Sequence, residues 1–164
     1  MDILSETRTG GDSQTVKIGT AIALIIQSMR PKQWIKNAIV FAGLIFSGHF
    51  NQPEFYPPVL LVFCAFCLVS GATYIVNDLL DLQADREHPR KRHRPLPSGR
   101  LSPGAAAVVA VAAFAAGIGL AFALNVATGL VIIGYILLTA AYSGHLKHIA
   151  FVDGFDMTAS GTIS

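Results

Sequence analysis

The sequence predicts an all-α, multi-span transmembrane helix bundle, and three observations carry that reading. Only 13% of the 164 residues are charged, 52% are hydrophobic, and the mean hydropathy is +0.54. Soluble domains carry roughly 25% charged residues, so about half the usual charge is missing. Uncharged stretches as long as a membrane is thick recur along the chain. The cations are gathered into a few clusters instead of being spread over a surface. Together these features exclude an ordinary soluble domain, a disordered segment and a nucleic-acid-binding arm.

Each element follows in order. The polar start lacks the basic region, apolar core and small-residue cleavage site of a secretory signal. Residues 1–29 are predicted to be a polar arm ending in a short interfacial or re-entrant helix at residues 18–29. Residues 30–164 form the transmembrane part. A hydrocarbon core of about 30 Å needs about 20 apolar residues in helical form. Residues 57–76 and 104–124 meet that length without a charge, and residues 126–142 form a shorter span. Residues 34–50 are a weaker fourth span, with Lys36 able to snorkel and Trp34 suited to the interface. Residues 149–164 begin a fifth.

All twelve Lys and Arg lie in the N-terminal arm, in residues 30–36, in residues 86–100, or at Lys147. The connections at residues 49–56 and 125–128 contain none. The positive-inside rule then puts the basic loops in the cytoplasm, at a bacterial-type plasma membrane.

Cys64 and Cys67 form a C-x-x-C within a span. A redox pair or half a metal site is conceivable, but small polarizable side chains packing between helices account for it better. His145 and His148 have one-turn spacing and no further ligand nearby in sequence, which favours interfacial residues over a metal site. Gly117, Gly119, Gly129 and Gly134 are expected to allow close helix packing.

The chemistry sits where the 57–76 span runs into Asn77-Asp78-Leu79-Leu80-Asp81-Leu82-Gln83-Ala84-Asp85. The helix is expected to continue unbroken to His88-Pro89, because the residue before proline is pushed out of helical geometry. Asp78, Asp81 and Asp85 then share one helical face, at i, i+3 and i+7. The row spans about 10 Å at 1.5 Å per residue. Three carboxylates on one face repel, and a divalent cation offsets that repulsion. Mg²⁺ takes one or two carboxylates and completes its shell with water and phosphate oxygens. A solvated acidic helix end balanced by nearby arginines is the blander alternative.

Residues 86–100 follow, with Arg86, Arg90, Lys91, Arg92, Arg94 and Arg100 stiffened by prolines. Part of that charge sets topology. Next to carboxylates, however, guanidinium forks are also suited to holding phosphate oxygens. The net charge of only +2 and the adjacent acids argue against nucleic acid as the partner. Metal and cations together neutralise a departing diphosphate. The electrophile left behind could be a prenyl carbocation or a ribosyl oxocarbenium ion.

Residues 77–85, with Arg94-Pro-Leu-Pro-Ser-Gly99 and Tyr142-Ser-Gly-His-Leu-Lys147, resemble the motifs of the UbiA-type intramembrane prenyltransferase superfamily. Arg30-Pro-Lys-Gln-Trp-Ile-Lys-Asn37 and the 85–95 segment are similar to its decaprenyl-phosphate phosphoribosyltransferase branch. The resemblance implies transfer of phosphoribose from phosphoribosyl diphosphate to a polyprenyl phosphate, with Mg²⁺. It implies that Asp78, Asp81 and Asp85 hold the metal and are catalytic. Asn77, Lys36, Arg86, Arg92 and Lys147 would contact substrate phosphates. The first alternative is prenyl transfer from a diphosphate to an aromatic or other small acceptor. A non-enzymatic membrane subunit or transporter fragment is the alternative from another class. The family is similar to a nine-helix bundle with a second aspartate-rich motif. This sequence stops before one, so it is expected to be an N-terminal half that needs the remainder to complete a site.

Overall fold

A computed structural model of the protein describes the backbone of residues 19–159 and the side chains of residues 19–143. Helix α1 (Gly19–Ser28) leads through a turn into a 3₁₀ helix (Pro31–Ile39) and α2 (Val40–Phe46). A short 3₁₀ turn (Pro53–Phe55) precedes α3 (Tyr56–Leu80), followed by α4 (Leu82–Glu87), a 3₁₀ turn (Lys91–His93), α5 (Pro103–Leu124) and α6 (Val126–Ala159). Among the described residues there is no strand, so the all-α expectation holds.

Three segments are long and apolar enough to cross a membrane: Pro53–Leu80, Pro103–Leu124 and Val126–Ser143. They match the expected spans at residues 57–76, 104–124 and 126–142. The described part of helix α1 is ten residues of apolar helix. The ends have local causes. Pro103 opens α5, and Ser102 Oγ accepts a hydrogen bond from the Ala105 N–H at 3.2 Å. Asn125 Oδ1 accepts one from the Thr128 N–H at 2.8 Å, at the start of α6.

Two expectations are corrected. Residues 34–50 do not form one long α-helix; nine residues of 3₁₀ helix precede the seven of α2. The three-residue period of a 3₁₀ helix stacks Trp34 and Asn37 on one side. Asn37 Nδ2 donates to Ser70 Oγ at 3.0 Å and to Cys67 Sγ at 3.5 Å, both on α3, while Trp34 Nε1 donates to the Met29 carbonyl at 3.1 Å. The Asn37 bonds tie this 3₁₀ helix to α3, and the local Trp34 bond ties it to the turn before it. Secondly, α6 continues as one helix to Ala159, so no break separates a fifth span at residue 149. No proline interrupts residues 143–159, and an isolated glycine costs a helix only about 1 kcal/mol.

The bundle core is the seam between α3 and α5. Helix α5 buries a stripe of small residues, Ala106, Ala110, Ala113, Gly117 and Ala121, at three- and four-residue spacing. A Cβ on Gly117 would meet Val69 Cγ2 at 2.7 Å and the Ala65 carbonyl oxygen at 3.0 Å, so the backbones approach where only glycine fits. Gly129 is similarly crowded, by the Phe122 ring. At Gly119 and Gly134 a Cβ would meet nothing within 4 Å among the described residues, so the close packing expected there is absent. The opposite faces stay apolar and open, with Val108, Val111, Leu137 and Leu138 between 65% and 72% exposed. Such faces suit a lipid or protein environment, not water.

Candidate functional site

The site forms where α3 leaves the bundle. Asp78 and Asp85 are 3% and 2% exposed, an unusual depth for carboxylates and one that demands partners. Arg94 supplies a shared one: its Nη1 lies 3.1 Å from Asp78 Oδ1 and 2.9 Å from Asp85 Oδ2. Arg30 Nη2 reaches Asp78 Oδ1 at 2.5 Å, and Lys91 Nζ reaches Asp85 Oδ1 at 3.1 Å. These ion pairs therefore set three cations against two buried carboxylates, an excess of positive charge.

The helix carrying the acids is not continuous. Asp81, with φ −94° and ψ 9°, separates α3 from α4, correcting the expectation of an unbroken helix to residue 88. The interruption is mild, because the Asp81 N–H still bonds the Asn77 carbonyl at 3.0 Å and the Asp85 N–H the Asp81 carbonyl at 2.8 Å. One-face geometry survives for Asp78 and Asp85, while Asp81 is half-buried at the junction. Helix α4 ends at Glu87, and His88 is extended ahead of Pro89, as the sequence predicts.

The basic loop is folded, not splayed. Leu96, only 2% exposed, plugs into the core with Met29, Ala72, Ile75, Leu101 and Ala106. Backbone bonds from Ser98 to Arg94 and from Leu101 to Pro95 close the loop around it, at 3.1 and 2.9 Å. Arg100 Nη2 donates to the His93 carbonyl at 2.7 Å. A buried leucine between two prolines thus anchors Arg94 over the acids.

Arg30 arrives from the other side on a strained backbone. Its φ of 53° and ψ of 66° place it in the left-handed region, immediately before Pro31. That conformation costs an L-residue about 1–2 kcal/mol. It aims the guanidinium at Asp78 with its Cζ 4.7 Å from the Tyr74 ring centroid, in cation–π range. Between these elements lies a cavity of about 330 Å³ lined by Gln27, Ser28, Arg30, Gln33, Asp78, Arg94 and Pro95. Six of its seven lining residues are polar or charged.

Among the described residues, no group of three or more His, Cys, Asp or Glu side chains is gathered around one point. Two carboxylates do converge on a single cationic nitrogen, that of Arg94. Two is the number Mg²⁺ ordinarily takes from protein when phosphate and water complete its shell, so the donor set fits a phosphate-bound Mg²⁺.

The cations expected to contact substrate phosphates are not the ones paired with the acids. Lys36, Arg86 and Arg92 are exposed, and none of them forms an ion pair with Asp78 or Asp85. Asn77 is half-buried beside Asp78. The side chains of Lys147, His145 and His148 lie outside the described residues. Arg30, Arg94, Gln27 and Gln33 line the cavity. The Arg30-Pro31 and Arg94-Pro95 pairs were the available signal, since each proline fixes the backbone beside the arginine it follows. Cys67 is buried and Cys64 exposed, both as free thiols. The bond from Asn37 accounts for Cys67 as part of helix packing.

The UbiA prenyltransferase family matches residues 37–163. A decaprenyl-phosphate phosphoribosyltransferase of Corynebacterium glutamicum is 42% identical over 134 residues, covering 79% of this chain and 40% of the relative. The enzyme of the same name from Mycobacterium tuberculosis is 35% identical over 136 residues, covering 80% of this chain and 45% of the relative. A digeranylgeranylglyceryl phosphate synthase of Methanothrix thermoacetophila is 36% identical over 102 residues, or 62% of this chain and 37% of the relative. The chain therefore spans less than half the length of these curated relatives.

Proposed function

This chain belongs to the UbiA prenyltransferase family, and on that premise we propose that it forms the donor-binding part of a Mg²⁺-dependent membrane phosphoribosyltransferase. The donor is phosphoribosyl diphosphate and the acceptor a polyprenyl phosphate. The observation that carries the reading is the pairing of buried Asp78 and Asp85 with Arg94 and Arg30 on the wall of a polar cavity. This cavity adjoins the end of a helix long enough to cross a membrane. A polyanion is attracted by the excess positive charge, and a lipid acceptor is within reach of such an end.

Asp78 and Asp85 would hold Mg²⁺, with Asn77 and Asp81 alongside. Bound there, Mg²⁺ supplies Lewis-acid neutralisation of the departing diphosphate. Arg30 and Arg94 hold diphosphate oxygens and disperse the charge that grows as it leaves. An oxygen of the acceptor phosphate forms a bond to the anomeric carbon while the bond from that carbon to diphosphate breaks. The electron pair departs with diphosphate. Lys36 and Lys147 are the cations proposed for the acceptor's phosphate. Arg86 and Arg92 lie outside the donor site and serve topology, with the basic loop in the cytoplasm.

The relatives named for phosphoribosyl transfer, at 42% and 35% identity, favour this donor. The archaeal relative named for a digeranylgeranylglyceryl phosphate product supports prenyl transfer as the second reading. A chimera decides between them: this chain replaces the matching 134-residue segment of the Corynebacterium glutamicum relative. Given labelled phosphoribosyl diphosphate and a polyprenyl phosphate, it should move label into the lipid in a Mg²⁺-dependent way. Consumption of a prenyl diphosphate with no label in the lipid would overturn the first reading in favour of the second.

A further inference from the structure

We propose that Gln27 and Gln33 are specificity-determining residues that read the sugar hydroxyls of the donor in the polar cavity beside Asp78, an inference resting on the phosphoribosyl reading above. The two glutamines are placed symmetrically about Arg30. The Arg30 N–H bonds the Gln27 carbonyl at 3.2 Å, and the Gln33 N–H bonds the Arg30 carbonyl at 2.8 Å. The left-handed turn at Arg30 thereby brings both glutamines into the lining of the cavity that Arg30 and Asp78 share. Strain of this kind persists where surrounding structure holds it, and it clusters at ligand sites.

The chemistry of the walls decides what fits. The charged groups in the cavity, Arg30, Arg94 and Asp78, already have ionic partners and suit the diphosphate end of a ligand. Ser28 donates its hydroxyl to the Leu24 carbonyl at 2.9 Å. Neither glutamine carboxamide is taken up by a side-chain hydrogen bond among the described residues. Each offers two donors and an acceptor, a match for vicinal hydroxyls that both give and accept. A prenyl chain would strip water from these amides and return nothing. A site built to bond a hydroxyl rejects a ligand lacking it far more strongly than an apolar pocket rejects a size change.

The test uses this chain in lipid nanodiscs, with the fluorescence of Trp34, its single tryptophan, next to Gln33, as the reporter. Phosphoribosyl diphosphate, inorganic diphosphate and geranyl diphosphate are titrated separately in magnesium buffer. Wild type should bind phosphoribosyl diphosphate about tenfold or more tighter than the other two, about 1.4 kcal/mol by the tenfold rule. Gln27→Leu and Gln33→Leu should each remove most of that preference while leaving inorganic diphosphate affinity within about twofold. Gln33→Met, which keeps length and charge and loses the hydrogen bonds, should behave like Gln33→Leu. Equal weakening of all three ligands would overturn the specificity role, because the glutamines would then support diphosphate binding or shape alone. If wild type prefers geranyl diphosphate, the phosphoribosyl reading itself has failed. If it prefers phosphoribosyl diphosphate and the variants keep that preference, only the glutamine assignment has failed. Binding of none of the three by this chain, and none by the chimera, overturns the site.

Discussion

Helix α3 carries a cavity at each end, and the two differ in everything but size. Near its start, a cavity of about 400 Å³ is lined by Val40, Leu44, Phe55, Val59 and Val62 with a few small or polar neighbours. Its few polar side chains are tied into the wall: Ser47 Oγ donates to the Leu44 carbonyl at 3.1 Å, and the His49 ring packs 4.5 Å from that of Phe55. Near its end, the cavity of about 330 Å³ is walled by arginines, glutamines and a buried aspartate. Volume therefore says little about function here. What separates the two ends is buried charge and the strained backbone of Arg30, both confined to the end that holds Asp78.

The sharpest way to break this contrast is to neutralise one end and hollow out the other. Asp78→Asn in the chimera should lower turnover by about 100-fold or more, the scale of losing a group that organises transition-state charge. Membrane insertion should be unaffected. Leu44→Ala at the apolar end should leave turnover within about twofold and cost stability instead, by about 2–3 kcal/mol in a detergent unfolding titration. Equal losses of turnover would show that the two ends are one functional unit.

Leu96→Ala tests whether the polar end depends on core packing. Removing this 2%-exposed side chain should cost about 2–5 kcal/mol. It should also weaken binding of inorganic diphosphate, because Arg94 is held over the acids by the loop that Leu96 anchors. Lost stability with unchanged diphosphate affinity would separate the loop from the site.

The sequence made the apolar architecture legible because lipid imposes a length and a composition. The spans at 57–76, 104–124 and 126–142 are read directly from uncharged runs, and Ser102-Pro103 and Asn125 mark ends by local capping chemistry. Residues 34–50 depart from one long helix where Asn37 bonds Ser70 on α3, a tertiary contact that no hydropathy pattern carries. At the site, Asp78 and Asp85 were legible from helical spacing. Their partners were not, since Arg30 is 48 residues from Asp78 and Arg94 is 16 away. Lys36, Arg86 and Arg92, which the family resemblance marks for substrate phosphates, are exposed and stand apart from this network. Burial of Leu96 and the turn at Arg30 decide which cations reach the acids, and both are tertiary facts.

Gly117→Val probes the seam that ties the two ends of α3 to α5. The added side chain begins with a Cβ at 2.7 Å from Val69 and 3.0 Å from the Ala65 carbonyl, which backbone cannot easily yield. Overpacking of this kind should cost about 1–3 kcal/mol. Gly119→Val, where a Cβ meets nothing within 4 Å among the described residues, is the matched control. A control as damaging as Gly117→Val would mean that glycine content, and not close approach, matters in α5.

The smallest expected effect is the most discriminating, because it compares two arginines two residues apart. Arg92→Ala should change inorganic diphosphate affinity by less than about twofold, as expected for an exposed charge outside the ion-pair network. Arg94→Ala should weaken that affinity by about tenfold or more and destabilise the fold by about 1–3 kcal/mol, since it leaves the buried Asp78 and Asp85 each one partner short. Raising salt sharpens the difference, because exposed charges are screened within about 10 Å at 0.1 M while buried pairs are screened much less. Whatever Arg92 contributes through long-range attraction should vanish with salt, and the Arg94 effect should persist. Equal and equally salt-sensitive losses would mean that the loop acts as a diffuse basic patch, and the distinction drawn from the buried network would fall.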